Sequence, residues 1–280
     1  TRTRLSFEAA MTELGGHAQF LQPGDMRLKT KTSAGETIED AARVMSRYAA
    51  GMGIRILEDK VPAYGEGWKL IKEYAQYADI PVSSMADDRF HPFQGLADIM
   101  GLRKHLGPDL RGKKALLTWG HGALARSWCS VQEFAVIASR FGMELTVAAP
   151  EGYDLDPEVM GWARKNCEEN GQKFTITNDP VKGYEGANVV YSRNWCSPNA
   201  YADGAFQKAK EVEAALKHPV WICDATKMAL SNNGLFIHPM PIDRGHEVSD
   251  EVASGKCSIC VDVAENRLHV QKAVMAATMK

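Results

Sequence analysis

Residues 113–149 read KKALLTWGHGALARSWCSVQEFAVIASRFGMELTVAA, and this stretch decides the fold class. Residues 113–119 are an apolar run that predicts a strand, and residues 144–149 are a second one. Between them, residues 131–141 repeat apolar side chains at helical spacing. A strand, a helix and a further strand in this order predict a parallel pair joined by a crossover helix, which indicates the α/β class.

The same alternation continues on both sides of this stretch. Upstream it predicts helices at 3–14, 37–50, 67–76 and 92–106 and strands at 18–21, 52–57 and 81–85. Downstream it predicts helices at 157–170, 206–216 and 264–279 and strands at 174–177, 188–192, 221–224 and 235–238. We therefore expect two doubly wound parallel-sheet domains that divide near Gly107.

Composition excludes several classes of protein. A formal net charge of -2 over 280 residues supplies no basic field for nucleic acid or anionic lipid. No apolar run reaches the roughly 18 residues that span a bilayer. Six cysteines in a chain of this size favour reduced thiols, and we interpret Cys257 and Cys260 as alternating residues of a strand-like run at 257–263. The chain starts without Met on a charged motif, so we expect a segment upstream.

The first four residues are Thr1, Arg2, Thr3 and Arg4, at the start of a predicted helix. Arginine is unfavourable there, because the helix dipole already places positive charge at that end. The pattern becomes favourable when a phosphate sits on the helix N-terminus, since backbone N–H groups, hydroxyls and guanidinium groups all donate to it. A frayed, solvated end is the other interpretation that these residues leave open.

Two His-Pro motifs lie where strands end. His91 precedes Pro92, which suits the first turn of a helix, and Gln94 follows, so both could donate to a carbonyl or amide. The alternative is a histidine that only caps its helix. Prolines flank Met240 in the second motif, residues 238–241, and hold an irregular loop whose carbonyl groups could face a ligand, or simply a stiff turn.

Two further arginines are candidates. Arg55 comes after the strand residues 52–54, at a strand's C-terminal end, and Arg267 lies near the start of the last helix. A surface charge is the ordinary alternative for Arg267.

Together these motifs resemble the aspartate/ornithine carbamoyltransferase superfamily. Residues 1–4 match all but the leading Ser of its Ser-Thr-Arg-Thr-Arg motif, residues 91–94 resemble its His-Pro-x-Gln motif, and residues 238–241 resemble its His-Cys-Leu-Pro or His-Pro-Leu-Pro segment. The resemblance implies a carbamoyl phosphate-binding domain at 1–107, with its N-terminal part upstream and completed by helix 264–280, and an amino-acid-binding domain at 108–263.

The resemblance also implies roles. The carbamoyl phosphate ligands would be Thr1, Arg2, Thr3, Arg4, Arg55, His91, Gln94, Met240 and Arg267. Thr3, Arg55 and His91 would act as catalytic residues by stabilising the carbonyl oxygen when the amine attacks. The leaving phosphate can take the amine's proton, so we expect no cofactor and no metal. A cytoplasmic homotrimer of arginine biosynthesis, with carbamoyl phosphate and an amino-acid amine as its partners, is implied in the same way.

The acceptor half is less specific. Residues 189–195 lack the Ser-Met-Gly loop of ornithine carbamoyltransferases and resemble the knotted subgroup that acts on N-acetylornithine or N-succinylornithine. That resemblance implies a knot in the second domain. It implies acceptor contacts from Arg193, Trp195, Glu247 and Met240. The residues that could reach a neighbouring subunit are Lys29 and Lys31, unless they only line a solvated loop.

Two competing hypotheses remain. Residues 120–125, GHGALA, imitate a dinucleotide-binding fingerprint and would suggest an NAD-dependent oxidoreductase. The acidic residue expected about 20 positions later is not at the end of the next strand. A non-catalytic protein that keeps the fold is the second alternative, suggested by the absent leading Ser and the atypical acceptor loop.

Overall fold

The computed structural model describes residues 2–22 and 34–279. The helices are α1 (Arg2–Glu13), α2 (Ile38–Met45), α3 (Glu66–Tyr77), α4 (Pro92–Leu106), α5 (Cys129–Arg140), α6 (Pro157–Glu169), α7 (Lys208–Ala215), α8 (Ala225–Met228), α9 (Asp250–Ala253) and α10 (Cys260–Thr278). The strands are β1 (Met52–Ile56), β2 (Val82–Asp87), β3 (Lys114–Trp119), β4 (Glu144–Ala148), β5 (Phe174–Thr177), β6 (Val189–Arg193), β7 (Tyr201–Ala202), β8 (Ala205–Phe206) and β9 (Leu235–Ile237).

A five-stranded parallel sheet in the order β5-β4-β3-β6-β9 forms the larger unit. β3 pairs with β4 from Lys114 opposite Glu144 to Thr118 opposite Ala148. Every residue of β3 after Lys114 is buried, as expected for a central strand covered on both faces. The α/β class predicted from residues 113–149 is confirmed.

Large side chains fill the core around this sheet. Trp119, Tyr191, Phe134 and Phe236 are fully buried, and the rings of Phe134 and Tyr191 stack with centroids 4.5 Å apart. Burying an aromatic or large aliphatic side chain contributes about 1.5–3 kcal/mol, so this core stabilises the unit. The site described below lies at its edge.

The smaller sheet pairs β1 with β2 in parallel, from Met52 opposite Val82 to Ile56 opposite Asp87. The register shifts just before Arg55, near the carboxyl end of β1. The second predicted parallel sheet is therefore present in the described residues.

The last helix packs on elements from the start of the chain. α10 makes its most extensive contacts with α4 and then with α1. Gly101 lies in the contact between α4 and α10, and a Cβ atom there would lie 2.7 Å from Cγ2 of Val263. The boundary near residue 107, the completion of the first domain by 264–280 and the knot stay predictions.

The predicted strand at 18–21 is wrong. The described residues show no strand pairing there, and the side chains of Phe20 and Leu21 are about half exposed. The Phe20 ring packs under the guanidinium group of Arg4 at 3.7 Å. An apolar run without a neighbouring strand gains nothing from the extended ladder, so it remains irregular.

Two other predicted strands are also replaced by different elements. Residues 221–224 join the 3-10 turn Pro219–Trp221 to α8, which Asp224 caps. In the run 257–263, Cys260 is the first residue of α10. Apolar residues face the core in both segments, and burial alone does not distinguish a strand from a turn or a helix start.

In residues 2–22 and 34–279, the helices lack the length and apolar character that crossing a bilayer requires.

The close approach at Gly101 predicts a specific sensitivity. Gly101→Ala should lower the free energy of unfolding by about 1–3 kcal/mol, because the added methyl group forces α4 and Val263 apart. Gly161→Ala is the matched control: it lies within α6 with nothing within 4 Å of its Cβ position, so it should raise the free energy of unfolding by about 0.5–1 kcal/mol. Urea unfolding of both variants measures this, and equal effects would contradict it.

Candidate active site

A cleft of about 200 Å³ lies at the carboxyl ends of the parallel strands, where α/β proteins bind ligands. Arg55 comes from β1, Arg193 is the last residue of β6, and His91 follows β2. The lining residues are Arg2, Thr3, Arg55, Leu57, Glu58, His91, Ala125, Arg126, Ser127, Cys129, Ser130, Arg193, Pro239, Met240, Pro241 and Arg267.

The Thr3 hydroxyl group connects two of the arginines that line this cleft. Its oxygen accepts a hydrogen bond from Nη1 of Arg55 at 3.0 Å and a second one from Nη2 of Arg267. Thr3 is buried in the first turn of α1. One hydroxyl group therefore joins α1, β1 and α10.

Five arginines repel one another around this point. Burial and the nearby charges of Arg55 and Arg2 lower the pKa of Arg267 to about 10. Burial, followed by Arg193 and Arg55, lowers the pKa of Arg2, and burial followed by Arg193 lowers the pKa of Arg126. Such crowding is unfavourable without a neutralising anion.

Several of these guanidinium groups also carry buried donors without partners. Among the described residues, nothing accepts from Nε and Nη1 of Arg193, Nε of Arg267 or Nε of Arg126. An unsatisfied buried donor costs about 1–3 kcal/mol, more when it is charged. The cleft is thus suited to an anion with several oxygens, such as a phosphate or a carboxylate.

His91 supplies a neutral imidazole at the same place. It caps α4 before Pro92 and is buried, and its Nδ1 has no partner in the described residues. Burial, followed by the charges of Arg267 and Arg55, holds the pKa of His91 well below its ordinary value. At neutral pH the ring can donate a hydrogen bond without adding another positive charge.

A fixed turn brings the Met240 backbone to the cleft. Met240 has a φ of +57°, a left-handed conformation that is unusual for a residue with a side chain. Its N–H donates to Nδ1 of His238 at 2.8 Å, and the other ring nitrogen of His238 lies 2.9 Å from Oε2 of Glu247. The first bond requires an unprotonated Nδ1, so we assign His238 as neutral with Nε2–H donating to Glu247.

Glu247 holds this turn from behind. It is fully buried and accepts the backbone N–H groups of Asn194 at 2.8 Å and Asp243 at 2.9 Å. Burial alone would raise the pKa of Glu247, but the His238 N–H and the charge of Arg193 outweigh it and hold that pKa below its ordinary value. The carboxylate is ionised, with its hydrogen-bonding capacity occupied by protein groups.

Comparison with known proteins agrees with this geometry. Residues 1–104 match the carbamoyl-P binding domain of the aspartate/ornithine carbamoyltransferases, and residues 125–278 match their Asp/Orn binding domain. The chain belongs to the aspartate/ornithine carbamoyltransferase family. The resemblance predicted from the motifs is confirmed.

Relatives within this family act on two kinds of acceptor, according to their names. The chain is 37% identical over 287 residues to the N-acetylornithine carbamoyltransferase of Xanthomonas campestris pv. campestris, covering 99% of this chain and 83% of that one. It is 35% identical over 279 residues to the anabolic ornithine carbamoyltransferase of Pyrococcus furiosus, covering 100% and 80%. A crystal structure of acetylornithine transcarbamylase complexed with acetylcitrulline superposes with a TM-score of 0.91 at 35% identity, covering 100% and 86%.

Most of the predicted carbamoyl phosphate ligands meet in the cleft of this family member. Arg2, Thr3, Arg55, His91, Met240 and Arg267 all line it. Gln94 lines an adjoining cavity of about 230 Å³ that shares Arg2 and Arg267 with the cleft. Its Nε2 donates to Asp98, and its Oε1 lacks a partner among the described residues.

Arg4 does not join them. Its guanidinium group pairs with Glu8 at 2.8 Å and covers Phe20, away from the cleft, because position 4 faces a different side of α1 from position 3. The predicted residues Thr1, Lys29 and Lys31 lie outside the described residues.

The structure also corrects two predicted acceptor contacts. Arg193 and Met240 line the cleft, but Trp195 is fully buried and its indole donates to the carbonyl oxygen of Tyr153 at 2.8 Å. Glu247 is fully buried behind the Met240 turn, so it supports the cleft wall without facing it.

Two charged residues of the cleft were not predicted. Arg126 follows β3 and donates through Nη2 to the carbonyl oxygen of Pro241 at 3.0 Å. Glu58 lies two residues after the end of β1. Both lie in segments that follow the carboxyl end of a strand, and this position was also the reason for selecting Arg55. The same criterion, applied to every charged residue in the segments after β1 and β3, would have selected them.

The glycines of the dinucleotide-like motif have a different role. A Cβ atom on Gly120 would lie 3.2 Å from Glu247, and one on Gly122 would lie 3.2 Å from Asn194. The motif is separated from α5, which begins at Cys129, instead of opening it. Close packing against the loop after β6 explains these glycines, so the NAD hypothesis loses its support.

The position of Glu247 predicts a loss of stability on substitution. Glu247→Gln should lower the free energy of unfolding by about 3 kcal/mol, since the new amide NH2 would face a protein donor and Arg193 would lose its counter-charge. The exposed Glu251→Gln is the matched control and should change it by less than about 0.5 kcal/mol.

The effect should depend on pH with a defined sign. The folded-state pKa of Glu247 lies below the ordinary value of 4.5, so its contribution is complete above that pH and is lost as the pH falls below it. Urea unfolding near neutral pH and near pH 4 should show the gap between wild type and Glu247→Gln narrowing in acid. A gap that widens in acid would exclude an ionised Glu247.

Proposed function

We propose that this chain transfers the carbamoyl group of carbamoyl phosphate to the side-chain amine of ornithine or an N-acylated ornithine. The products are a citrulline-type amino acid and phosphate. One observation carries the proposal: five arginines, a neutral His91 and the Thr3 hydroxyl converge on one cleft at the strand ends. The same observation favours a cleft that binds a ligand, because buried donors without partners are costly, and the amine panel below distinguishes catalysis from binding alone.

The donor half binds the phosphate and polarises the carbonyl group. The first turn of α1, with Arg2 and Arg267, surrounds the phosphate through backbone N–H groups and guanidinium groups. Thr3, Arg55 and His91 donate to the carbonyl oxygen, where negative charge develops during attack. Because the hydrogen bond between Arg55 and Thr3 already orients two of these donors, less reorganisation is needed in the reaction.

The acceptor half orients the amine. Its lone pair forms the new N–C bond, the bond from carbon to the phosphate oxygen breaks, and the phosphate leaves with that electron pair and takes a proton from the attacking nitrogen. The Met240 carbonyl group binds the carbamoyl amide, and Arg193 binds a carboxylate of the acceptor. No covalent intermediate on the protein is needed.

Two further assignments belong to the proposal. A homotrimer follows from the family resemblance, and light scattering of the purified protein tests it. A cytoplasmic location is supported by the free thiols of all six cysteines, a state common in reducing compartments, and cell fractionation tests it.

An amine panel tests the function directly. Purified protein is incubated with carbamoyl phosphate and ornithine, N-acetylornithine, N-succinylornithine, putrescine or aspartate, and the carbamoylated product is measured. We expect turnover with at least one ornithine-type amine. Putrescine should be a poor substrate, because it has no carboxylate for Arg193. The proposal fails if no ornithine-type amine turns over.

The assembled donor half predicts the effect of single substitutions. Arg55→Ala and His91→Ala should each lower kcat about 100-fold or more, since each removes a donor to the developing oxyanion. Arg43→Ala is the matched control: this exposed arginine pairs with Glu39 on α2 and should leave the kinetics unchanged. Steady-state kinetics at saturating carbamoyl phosphate measures this effect. A wild-type kcat in both cleft variants would contradict the roles assigned to Arg55 and His91.

A further inference from the structure

Among the described residues, Glu58 is the one carboxylate that lines the cleft. Its residue is only 9% exposed, and it begins the 3-10 turn Glu58–Lys60 two residues after the end of β1. The hydroxyl group of Tyr201 donates to the Glu58 backbone oxygen at 3.0 Å. The backbone of Glu58 is therefore fixed by the β7–β8 hairpin, three residues after Arg55.

The surroundings of this carboxylate are incomplete. Among the described residues, its Oε2 has no hydrogen-bond partner, and no arginine nitrogen lies within 4.0 Å of either oxygen. Burial raises the pKa of Glu58, and the neighbouring Ser127 hydroxyl opposes that rise in part. A buried acid with a free oxygen is unfavourable unless a ligand donates to it.

If Glu58 only neutralised an arginine of the cleft, we would expect it to contact that arginine directly. A carboxylate that neutralises an arginine forms a close, often bidentate pair with it, as Arg89 does with Asp156 at 3.0 Å elsewhere in this chain. Glu58 forms no such pair in the part of the chain that the structure describes, although five arginines line the same cleft. Its free oxygen therefore suits a donor that arrives with the substrate.

We propose that Glu58 binds the side-chain ammonium group of the acceptor and removes one proton from it. This inference rests on the proposed function, because a carbamoyl acceptor must enter the cleft and lose its positive charge before attack. The other cleft residues with full charge are cations, which repel an ammonium group. Glu58 is thus the group that can attract it to the carbamoyl carbon.

The step balances in protons and electrons. The acceptor R–NH3⁺ gives one proton to the Glu58 carboxylate and becomes R–NH2. Its lone pair then forms the N–C bond while the phosphate leaves with the electrons of the C–O bond, and the second proton goes to that phosphate. Glu58 returns its proton to solvent after the product leaves.

The test compares acceptor ligands that differ only in the amine. L-Ornithine is paired with L-norvaline, and N-acetyl- and N-succinyl-L-ornithine are paired with the corresponding norvalines. Affinities are measured by calorimetry in inorganic phosphate buffer for wild type, Glu58→Gln, Glu58→Asp and Asp59→Asn, followed by kinetics with carbamoyl phosphate. Asp59 is the matched control, because its side chain is half exposed and pairs with Lys60. Melting curves check folding, and Glu58→Asp retains the carboxylate if Glu58→Gln is unstable.

We expect wild type to prefer the amine ligand of its acceptor pair by about tenfold or more, and Glu58→Gln to lose that preference. The acceptor kcat/KM of Glu58→Gln should fall about 100-fold, with the KM for carbamoyl phosphate within about threefold of wild type. Glu58→Asp should be intermediate, and Asp59→Asn should match wild type.

Other outcomes overturn the inference or the function separately. Retained amine preference in Glu58→Gln, or a rise in its KM for carbamoyl phosphate as large as its fall in acceptor kcat/KM, overturns the role of Glu58 while wild-type turnover upholds the function. A Glu58-dependent amine preference without wild-type turnover upholds the amine site and rejects the transferase. Wild type that neither prefers amines nor turns them over rejects both.

Discussion

The double hydrogen bond at the Thr3 hydroxyl oxygen is the contact on which the cleft depends. It joins Arg55, 52 positions away, and Arg267, 264 positions away, to the first turn of α1. Two guanidinium groups that share one neutral acceptor remain unneutralised, so they retain donors and charge for a substrate. An aspartate at this position would neutralise them and remove that capacity. A hydroxyl group orients the arginines and leaves their charge available.

The crowded arginines lower the stability of the folded state, so contacts elsewhere in the protein must compensate for them. Burial, followed by neighbouring like charges, lowers the pKa of Arg2 and Arg267, which means that the folded state holds them at a cost. The support comes from two sources. The buried core of the five-stranded sheet lies next to the cleft, and the Glu247–His238 pair fixes the Met240 turn. Packing beneath the cleft holds the donor groups in place although the arginines repel one another. The donors are therefore preorganised and yet remain unpaired.

Sequence patterns predicted the parts of the fold with strong periodicity. The run at 113–119 became β3 because its burial on both faces leaves few alternatives. The run at 221–224 was equally apolar, but Pro219 starts a turn there and Asp224 caps the next helix. Local capping chemistry decided against the strand, and apolar content could not reveal it.

The site residues that could be predicted from the sequence are those that belong to a motif. Arg55, His91 and Met240 belong to motifs, and the structure brings them together. Glu247 also belongs to a motif, but its carboxylate points into the protein, which depends on the His238 ring that it contacts. Glu58 has no motif at all. Its importance arises only when the charges of distant segments surround it, and distance along the chain hides that property.

Charge complementarity also bears on the choice of acceptor. The described residues of the cleft include five arginines and one carboxylate, and a carbamoyl phosphate dianion neutralises only part of that excess of positive charge. Free ornithine adds an α-ammonium group to its side-chain ammonium, and Glu58 can accommodate only one of them. Acylation removes the α-charge and keeps the carboxylate for Arg193, and a succinyl group adds a second carboxylate. Under the proposed roles of Arg193 and Glu58, charge complementarity is therefore greater for N-acylated ornithines than for ornithine, and greatest where the acyl group is itself acidic.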